Sequence, residues 1–343
     1  PYRAVLTHGM VVDGEGYKMS KSLGNVIAPE EVWEQYGADI LRLWVSSADF
    51  RGDVRISQDI LRQLSDVYRR IRNTARFILG NLHDFHPEAH SVPYEQMEEL
   101  DRWALMQLAK VSRRVRKAYA EYDFHIVYHT VHQFCAVDLG GFYLDVLKDR
   151  LYCDAPDSRE RRSAQTAFLI IIKELTQLLA PILVFTAEEI WEHLPGQVRT
   201  EKSVHFSTWQ ELPQEYWDED LERRWAEFLE IRRVVAKGLE LARNAKTIGA
   251  SNEAKLVLYA DEDRLRTLTA FAKDLRLLFI VSDVELRPLA EGSEALYSEP
   301  GLAVDVFRAE GEKCQRCWKY FAELSGDERH PQICHRCLEV VEG

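Results

Sequence analysis

The chain has 343 residues, enough for two or three domains, and sets 56 acidic against 44 basic side chains, a formal charge of −12 at pH 7. That balance excludes a protein that grips polyanions by overall attraction, so any nucleic-acid contact must use local basic surfaces. No apolar run reaches the roughly 18 residues of a membrane span; the nearest approach, AFLIIIKELTQLLAPILVF, is interrupted by Lys173, Glu174 and Gln177, and no membrane partner is expected.

In chain order, YRAVLTHGMVV (residues 2 to 12) is an apolar, β-branched run that predicts a strand of a parallel sheet. Without neighbouring strands its edges would be open, leaving it disordered or differently paired. HGMVVDGEGYKMSKSLGNVI follows, with Lys18 and Lys21 three residues apart in a loop punctuated by Gly14, Gly16 and Gly24. Those glycines relieve steric limits on the backbone, and Ser20 and Ser22 add short hydroxyl donors. Such a strap can close over a polyphosphate. Lysines that meet the phosphates best as charge moves onto a leaving pyrophosphate stabilise the transition state more than the bound nucleotide. A solvated turn is the competing reading of a bare lysine pair.

The middle of the chain has helical spacing. From Ser57, an N-cap residue type, apolar residues fall at Ile60, Leu64, Val67, Ile71, Ala75, Ile78 and Leu82. A second stripe runs Leu100, Ala104, Leu108, Val111, Val115, Ala118, Tyr122, and a third helix carries Val127, Val131, Phe134 and Val137 before Gly140-Gly141. Ala167 to Ala180 predicts a more buried helix that Pro181 stops or kinks, and Thr186 with Glu189 predicts a capping box for the next one. Long antiparallel helices with modest connections imply a bundle. Its second helix bears Arg102, Lys110, Arg113, Arg114, Arg116 and Lys117 with no acid between Arg102 and Lys117. That run is either a cationic stripe for phosphates or a solvated basic face. His125, His129 and His132 share a helix face, but without a carboxylate at matching spacing they read as surface residues rather than metal ligands.

After a Trp-rich connection through Trp209 and Trp217, a long helix is expected from about Asp218 to Ala245. EAKLVLYA (253 to 260) then reads as a strand, 261 to 277 as a helix, and FIVSDVELRP and LAVDVFRAEG as strands, a small α+β domain. Cys135 and Cys153 read as buried hydrophobes. Cys314, Cys317, Cys334 and Cys337 form C-x2-C, a spacer of sixteen, and C-x2-C, two knuckles that can close four thiolates around one Zn²⁺ with no position left open. Two disulfides or an iron–sulfur cluster compete with that reading, and His330 and His335 lie close enough to substitute for a cysteine. Around the knuckles Arg316, Trp318, Lys319, Tyr320 and Arg336 interleave cations with aromatics. That composition can grip phosphate and stack on an unpaired base, or pack the module onto its neighbours.

KMSKS followed by LGN resembles the second signature of class I aminoacyl-tRNA synthetases. YGADILRLWVSSADFRGDVRIS (36 to 57), FYLDVLKDRLY (142 to 152), APILVFTAEEIW (180 to 191), ARNAKTIGASNEAKL (242 to 256) and KCQRCW with ICHRC are similar to the carboxy-terminal part of the bacterial isoleucine branch. The leucine and valine branches share the first and third of these blocks more loosely.

The resemblance implies a mainly α fold: residues 1–56 as the end of a Rossmann-type catalytic domain, 57–217 as an anticodon-binding helical bundle, 218–310 as a helix with a small α+β domain, and 311–343 as a zinc knuckle. It implies Lys18 and Lys21 as catalytic groups, and Lys18, Met19, Ser20, Lys21 and Ser22 as contacts to ATP with Mg²⁺. It implies Zn²⁺ on the four cysteines and tRNA contacts through Arg113, Arg114, Arg116, Lys117, Arg316, Trp318 and Lys319. Isoleucine-accepting tRNA, ATP and isoleucine would be the partners of a monomeric cytoplasmic ligase. The other signature of the family, HIGH, is not in the sequence, so the chain is expected to be a fragment inactive by itself. A valine or leucine ligase segment, or a non-catalytic tRNA-binding protein derived from such a fragment, are the alternatives.

Overall fold

The computed structural model describes residues 1–290 and 295–343, and the chain divides into two units: Pro1–Tyr143 with Arg162–Trp217, and Leu144–Arg161 with Asp218–Gly343. In chain order the larger elements are β1 (Val11–Val12), α1 (Pro29–Tyr36), α2 (Ala38–Ser47), β2 (Val54–Arg55), α3 (Gln58–Gly80), α4 (Pro87–His90), α5 (Glu99–Ala120) and α6 (Phe124–Gln133). A π-helical stretch, Phe134–Tyr143, leads to α7 (Leu144–Cys153), α8 (Arg159–Leu179), α9 (Val184–Glu192) and α10 (Glu219–Asn244). Then come β3 (Ala254–Ala260), α11 (Glu262–Ala270), α12 (Leu275–Leu278), β4 (Asp283–Pro288), β5 (Tyr297–Glu299), β6 (Leu302–Arg308), β7 (Glu312–Lys313), β8 (Tyr320–Phe321) and α13 (His335–Glu342). The fold is mainly α.

In the first unit the apolar stripes become helix faces that share one core. Ser57 caps α3, its hydroxyl accepting from the Ile60 amide at 3.2 Å. The helix buries Leu61, Leu64, Ile71, Ala75 and Ile78, with Leu61 rather than Ile60 opening the stripe. Along α5 every expected position from Leu100 to Ala118 is buried, but Tyr122 lies beyond the helix in a left-handed turn and is half exposed. The buried Asp101 carboxylate is satisfied by Tyr143 at 2.7 Å and Ser163 at 2.6 Å, as a polar group in a core must be. Trp103 packs edge-on against Phe142, and Tyr143 against Phe168.

Three local expectations are corrected in this unit. Residues 2 to 10 form no strand. Only Val11 and Val12 pair, in parallel with Val54 and Arg55, and Tyr2, Val5, Leu6 and Met10 are exposed because no described strand covers them. Gly140-Gly141 does not end the third helix. The chain stays helical through a π turn, where a Cβ at Gly140 would sit 2.9 Å from the Cys135 carbonyl oxygen five residues back, so glycine is what the widened turn tolerates. The added residue per turn swings Val137 out to solvent.

The Thr186–Glu189 capping box is also absent. Helix α9 begins at Val184, and its end is capped from α2 by Asp39, which accepts from the Phe185 amide (3.3 Å), the Thr186 amide (2.8 Å) and the Thr186 hydroxyl (2.6 Å). Glu189 instead makes an exposed pair with Arg72.

In the second unit Asp218 caps α10 through the Leu221 amide at 2.9 Å, and Leu221, Trp225, Phe228, Val235, Leu239 and Ala242 are buried as the spacing predicts. The sheet order is β4-β3-β6-β5, with β3 parallel to β4 (Leu256 opposite Val284) and antiparallel to β6 (Leu258 opposite Val304). The helix expected over 261 to 277 is broken into α11 and α12 by a turn at Phe271–Asp274, which sets Phe271 and Phe279 against Phe228 at 4.6 and 5.4 Å.

Because Asp39 supplies a cap that no local residue replaces, Asp39→Ala should destabilise the first unit by about 1–2 kcal/mol. Glu189→Ala, which removes only an exposed pair, should cost less than about 1 kcal/mol. Thermal unfolding of the two variants followed by circular dichroism checks this, and equal effects would contradict the Asp39 cap.

Candidate functional site

The lysine loop is held by two side chains that the sequence reading passed over. Asp13 Oδ1 accepts from the amides of Glu15 (3.1 Å) and Tyr17 (2.8 Å), while its Oδ2 accepts from Asn25 Nδ2 at 2.8 Å. Asn25 Oδ1 in turn accepts from the Ser20 amide at 2.9 Å. The Asn25 hydrogen bond, then those from the backbone, hold the Asp13 carboxyl below the ordinary carboxylate range. Ser20 and Ser22 hydroxyls lie 3.1 Å apart and Ser20 Oγ also meets the Leu23 amide, so these serines brace the turn. Met19 is half-buried; Lys18 and Lys21 are exposed and make no ion pair among the described residues. The loop backbone is tied and the two ammonium groups are left to meet an anion.

The four cysteines of the terminal module converge. Their sulfurs all lie within 4.8 Å of one another, all four residues are buried, and all are free thiols. Cys317 Sγ and Cys334 Sγ are 3.9 Å apart. A tetrahedral Zn²⁺ with bonds of about 2.3 Å separates its thiolates by about 3.8 Å, whereas a disulfide needs about 2.05 Å. The donor set therefore fits one tetrahedral ion and is too tight for a cluster of several metals. The knuckle turns are built from backbone bonds, Trp318 N to Cys314 O at 2.9 Å and Cys314 N to Lys319 O at 2.9 Å, and the Cys334 amide donates to Cys314 Sγ at 3.3 Å. Hydrogen bonds from Cys317 and Arg316 outweigh burial and hold Cys337 low, while the Cys337 contact and burial push Cys317 up. At Gly311, where the chain enters the module, φ is +94° and a Cβ would strike the Phe321 carbonyl oxygen at 2.0 Å, so only glycine fits.

This module is docked on the end of α7. Asp149 takes a bidentate pair from Arg336 at 2.7 and 2.8 Å and a third contact from Lys319 at 3.4 Å. Burial would raise the Asp149 carboxyl, but Arg336 and Lys319 outweigh it and hold the group below its ordinary value. Arg316 donates to the Cys153 carbonyl, and the Cys153 side chain packs into the cysteine cluster with Phe321, Leu324 and Ile333 around it. Of the module's expected RNA contacts, Arg316 and Lys319 are thus engaged internally. Trp318 is 61% exposed, with Lys313 Nζ 5.8 Å from its ring centre.

The basic run on α5 divides into two faces. Arg113 lies over the Trp217 ring at 3.6 Å. Arg116, with a side chain only 16% exposed, pairs with the buried Glu174 at 2.8 Å and with Glu211 at 3.6 Å, and also donates to the Gln210 carbonyl. Ser112 completes Glu174 at 2.6 Å. Arg116 is therefore a structural ion-pair residue rather than part of an open stripe. Lys110, Arg114 and Lys117 lie at i, i+4 and i+7 on another face; Arg114 and Lys117 are exposed, and Lys117 has only a long contact, 3.9 Å, to Glu121.

Three family models match the chain: "tRNA synthetases class I (I, L, M and V)" over 1–57, "Anticodon-binding domain of tRNA ligase" over 101–258, and "Zinc finger found in FPG and IleRS" over 311–340. The chain is 50% identical to an isoleucine–tRNA ligase of Natranaerobius thermophilus, with 100% of the chain aligned. It is 54% identical to that of Syntrophotalea carbinolica over 99% of the chain, and 51% identical to that of Geobacter sulfurreducens over 100%. The chain spans 37% of the length of each of these relatives. Among solved structures, the Agrobacterium radiobacter LeuRS–tRNA–LeuAMS ternary complex superposes with TM-score 0.46 at 20% identity, covering 61% of this chain and 24% of that one.

If the cysteines hold a structural ion, elemental analysis should find one tightly held zinc per chain. Cys334→Ser should then expose residues 311–343 to protease while leaving the helices of the first unit folded. Absence of zinc, or four cysteines recovered as two disulfides, would contradict the metal site.

Proposed function

Since the chain belongs to the class I aminoacyl-tRNA synthetases, and within them aligns along its whole length with isoleucine–tRNA ligases, we propose that it supplies the ATP-facing loop and the tRNA-binding parts of such a ligase. The observation that carries the chemistry is that Lys18 and Lys21 stand exposed, with no ion pair among the described residues, on a loop whose backbone Asp13 and Asn25 tie down. In the reaction a carboxylate oxygen of isoleucine attacks the α-phosphorus of ATP, a new P–O bond forms, and the bond to the bridging oxygen breaks to release pyrophosphate. Charge grows on the leaving group, and that is where two ammonium ions presented by this loop lower the barrier. Met19, Ser20 and Ser22 shape the strap that follows the nucleotide, and Mg²⁺ accompanies ATP as part of the substrate.

The other stretches serve the second substrate. Residues 1–56 close the catalytic domain, 57–217 form the anticodon-binding bundle, 218–310 form a helix with a small α+β domain, and 311–343 form a module held by Zn²⁺ on Cys314, Cys317, Cys334 and Cys337. Four protein thiolates fill a tetrahedron, so the ion's role is structural. Contacts to isoleucine-accepting tRNA fall to Arg114 and Lys117 and to Trp318, with the internally engaged Arg113, Arg116, Arg316 and Lys319 holding these surfaces in place. No helix of the described residues is long and apolar enough to cross a membrane, and the ligase is proposed to work in the cytoplasm as a monomer.

In a protein of the relatives' full length carrying this segment, Lys21→Ala should slow adenylate formation by on the order of a hundredfold and weaken ATP binding far less. Pre-steady-state pyrophosphate exchange against ATP titration separates the two. Equal losses would mean that Lys21 merely binds nucleotide. The 343-residue chain alone should show no isoleucine-dependent pyrophosphate exchange yet bind tRNA with affinity that falls as salt rises.

A further inference from the structure

The base of the lysine loop is zipped to one short turn, residues 49–53. The Gly9 amide donates to the Phe50 carbonyl (2.8 Å), the Met10 amide to Asp53 Oδ1 (2.8 Å), and the Val54 and Ile56 amides to the carbonyls of Met10 (2.9 Å) and Val12 (3.0 Å). β1 leads straight from this zipper into the loop: Val12 bridges Lys18 in antiparallel register, and the Asp13 amide donates to the Tyr17 carbonyl at 2.9 Å. Lys18 is thus one bridge away from the strand that the turn holds. The other side of the turn reaches the helices. Arg51 donates to Asp123 Oδ1 at 2.7 Å and to Asp49 Oδ1 at 3.4 Å, and its second terminal nitrogen to the Glu121 carbonyl at 3.5 Å. Its guanidinium lies 5.4 Å from the centre of the Phe50 ring, which meets Phe124 at 6.0 Å. Asp123 stands at the N-cap of α6, yet its carboxylate caps none of that helix's amides. It is turned instead to an arginine 72 residues away, an orientation that local helix chemistry does not ask for. The connection it sits in is fixed by α5, whose Ala118 carbonyl accepts from the Asp123 amide at 2.8 Å.

We propose that Arg51 is a positioning residue for the lysine loop: through Asp123 it fixes the 49–53 turn to the connection between α5 and α6, and through β1 that turn sets where Lys18 and Lys21 stand. The inference rests on the reading of those lysines as the groups that meet the leaving pyrophosphate, and it adds the helices to what aims them. The Arg51 side chain is 50% exposed and that of Asp123 20%, so the pair adds little to the stability of the whole unit. An exposed loop held by a few bonds opens locally at far lower cost than the core. There a small difference changes the population of correctly placed loop several-fold without unfolding anything. Aim counts most in the transition state. A long ammonium side chain can follow a bound triphosphate, whereas charge growing on the leaving group rewards a fixed geometry.

Hydrogen–deuterium exchange of the 343-residue chain reads the loop itself, and adenylate formation in a protein of the relatives' full length reads the consequence. Arg51→Ala should speed exchange of the Met10, Tyr17 and Ser20 amides by about twofold to fivefold, the range of a half-exposed charge pair, while α3 and α5 keep their protection. It should lower kcat for adenylate formation by a similar factor and leave the KM for ATP nearly unchanged. Arg51→Lys, which keeps a cation for Asp123, should restore part of both. In a chain that already carries Asp123→Ala, Arg51→Ala should have little further effect, because the two residues act as one contact. Loop exchange or kcat at the wild-type level in Arg51→Ala, a rise in the KM for ATP as large as the fall in kcat, or additive effects of the two substitutions would overturn the inference and leave the role of the lysines standing. If Lys21→Ala itself forms adenylate at the wild-type rate, the reading of the loop falls and Arg51 has nothing to position.

Discussion

The bond set around Asp149 and the four cysteines is the constraint on which the second unit's terminal module depends. Residues 311–343 bury almost no apolar side chains beyond the cysteines themselves, with Phe321, Leu324 and Ile333 only partly covered. A module of this size lacks the core to fold by burial alone, and closing four thiolates on one ion would supply what is missing. The closed module then presents Arg336 and Lys319 to a carboxylate that is itself 15% exposed. A buried carboxylate left unpaired is costly, so dock and metal site reinforce each other. One outcome is that the positive charges nearest the knuckles hold the module in place, leaving Trp318 as its open aromatic surface.

The same logic separates structure from function along α5. A basic run in sequence looks uniform, but a helix distributes it by angle. Arg113 turns toward Trp217 and Arg116 toward Glu174 and Glu211, where Arg116 satisfies an acid buried in the first unit. Lys110, Arg114 and Lys117 turn the other way, and the first two line a groove with His129 and His132 of α6. In a chain of net charge −12, this division confines any attraction for a polyanion to a face one helix wide.

Much of the fold was legible because its signals are local. The faces of α3, α5 and α10 follow directly from apolar spacing, and Ser57 and Asp218 cap where the sequence places them. The cysteine spacing brought four sulfurs to one point. What could not be read depends on distant partners. Asp39 displaced the local capping box 147 residues away, Asp149 meets Arg336 across 187 residues, and Arg116 finds Glu174 across 58. Glycine pairs normally punctuate helices, but Gly140-Gly141 continues one, because packing against the core favours a π turn over an end. Asp13 and Asn25, which organise the lysine loop, carried a signal in DGEG and LGN that attention to the lysines overlooked.

Metal closure of the cysteine module and its dock on α7 should behave as one coupled structure. Hydrogen–deuterium exchange of the whole chain, before and after zinc is removed with a chelator, tests it most directly. Protection should be lost together in residues 311–343 and in the last turns of α7 around Asp149 and Cys153, while α3 and α5 stay protected. Loss confined to the module, with the end of α7 unchanged, would contradict it.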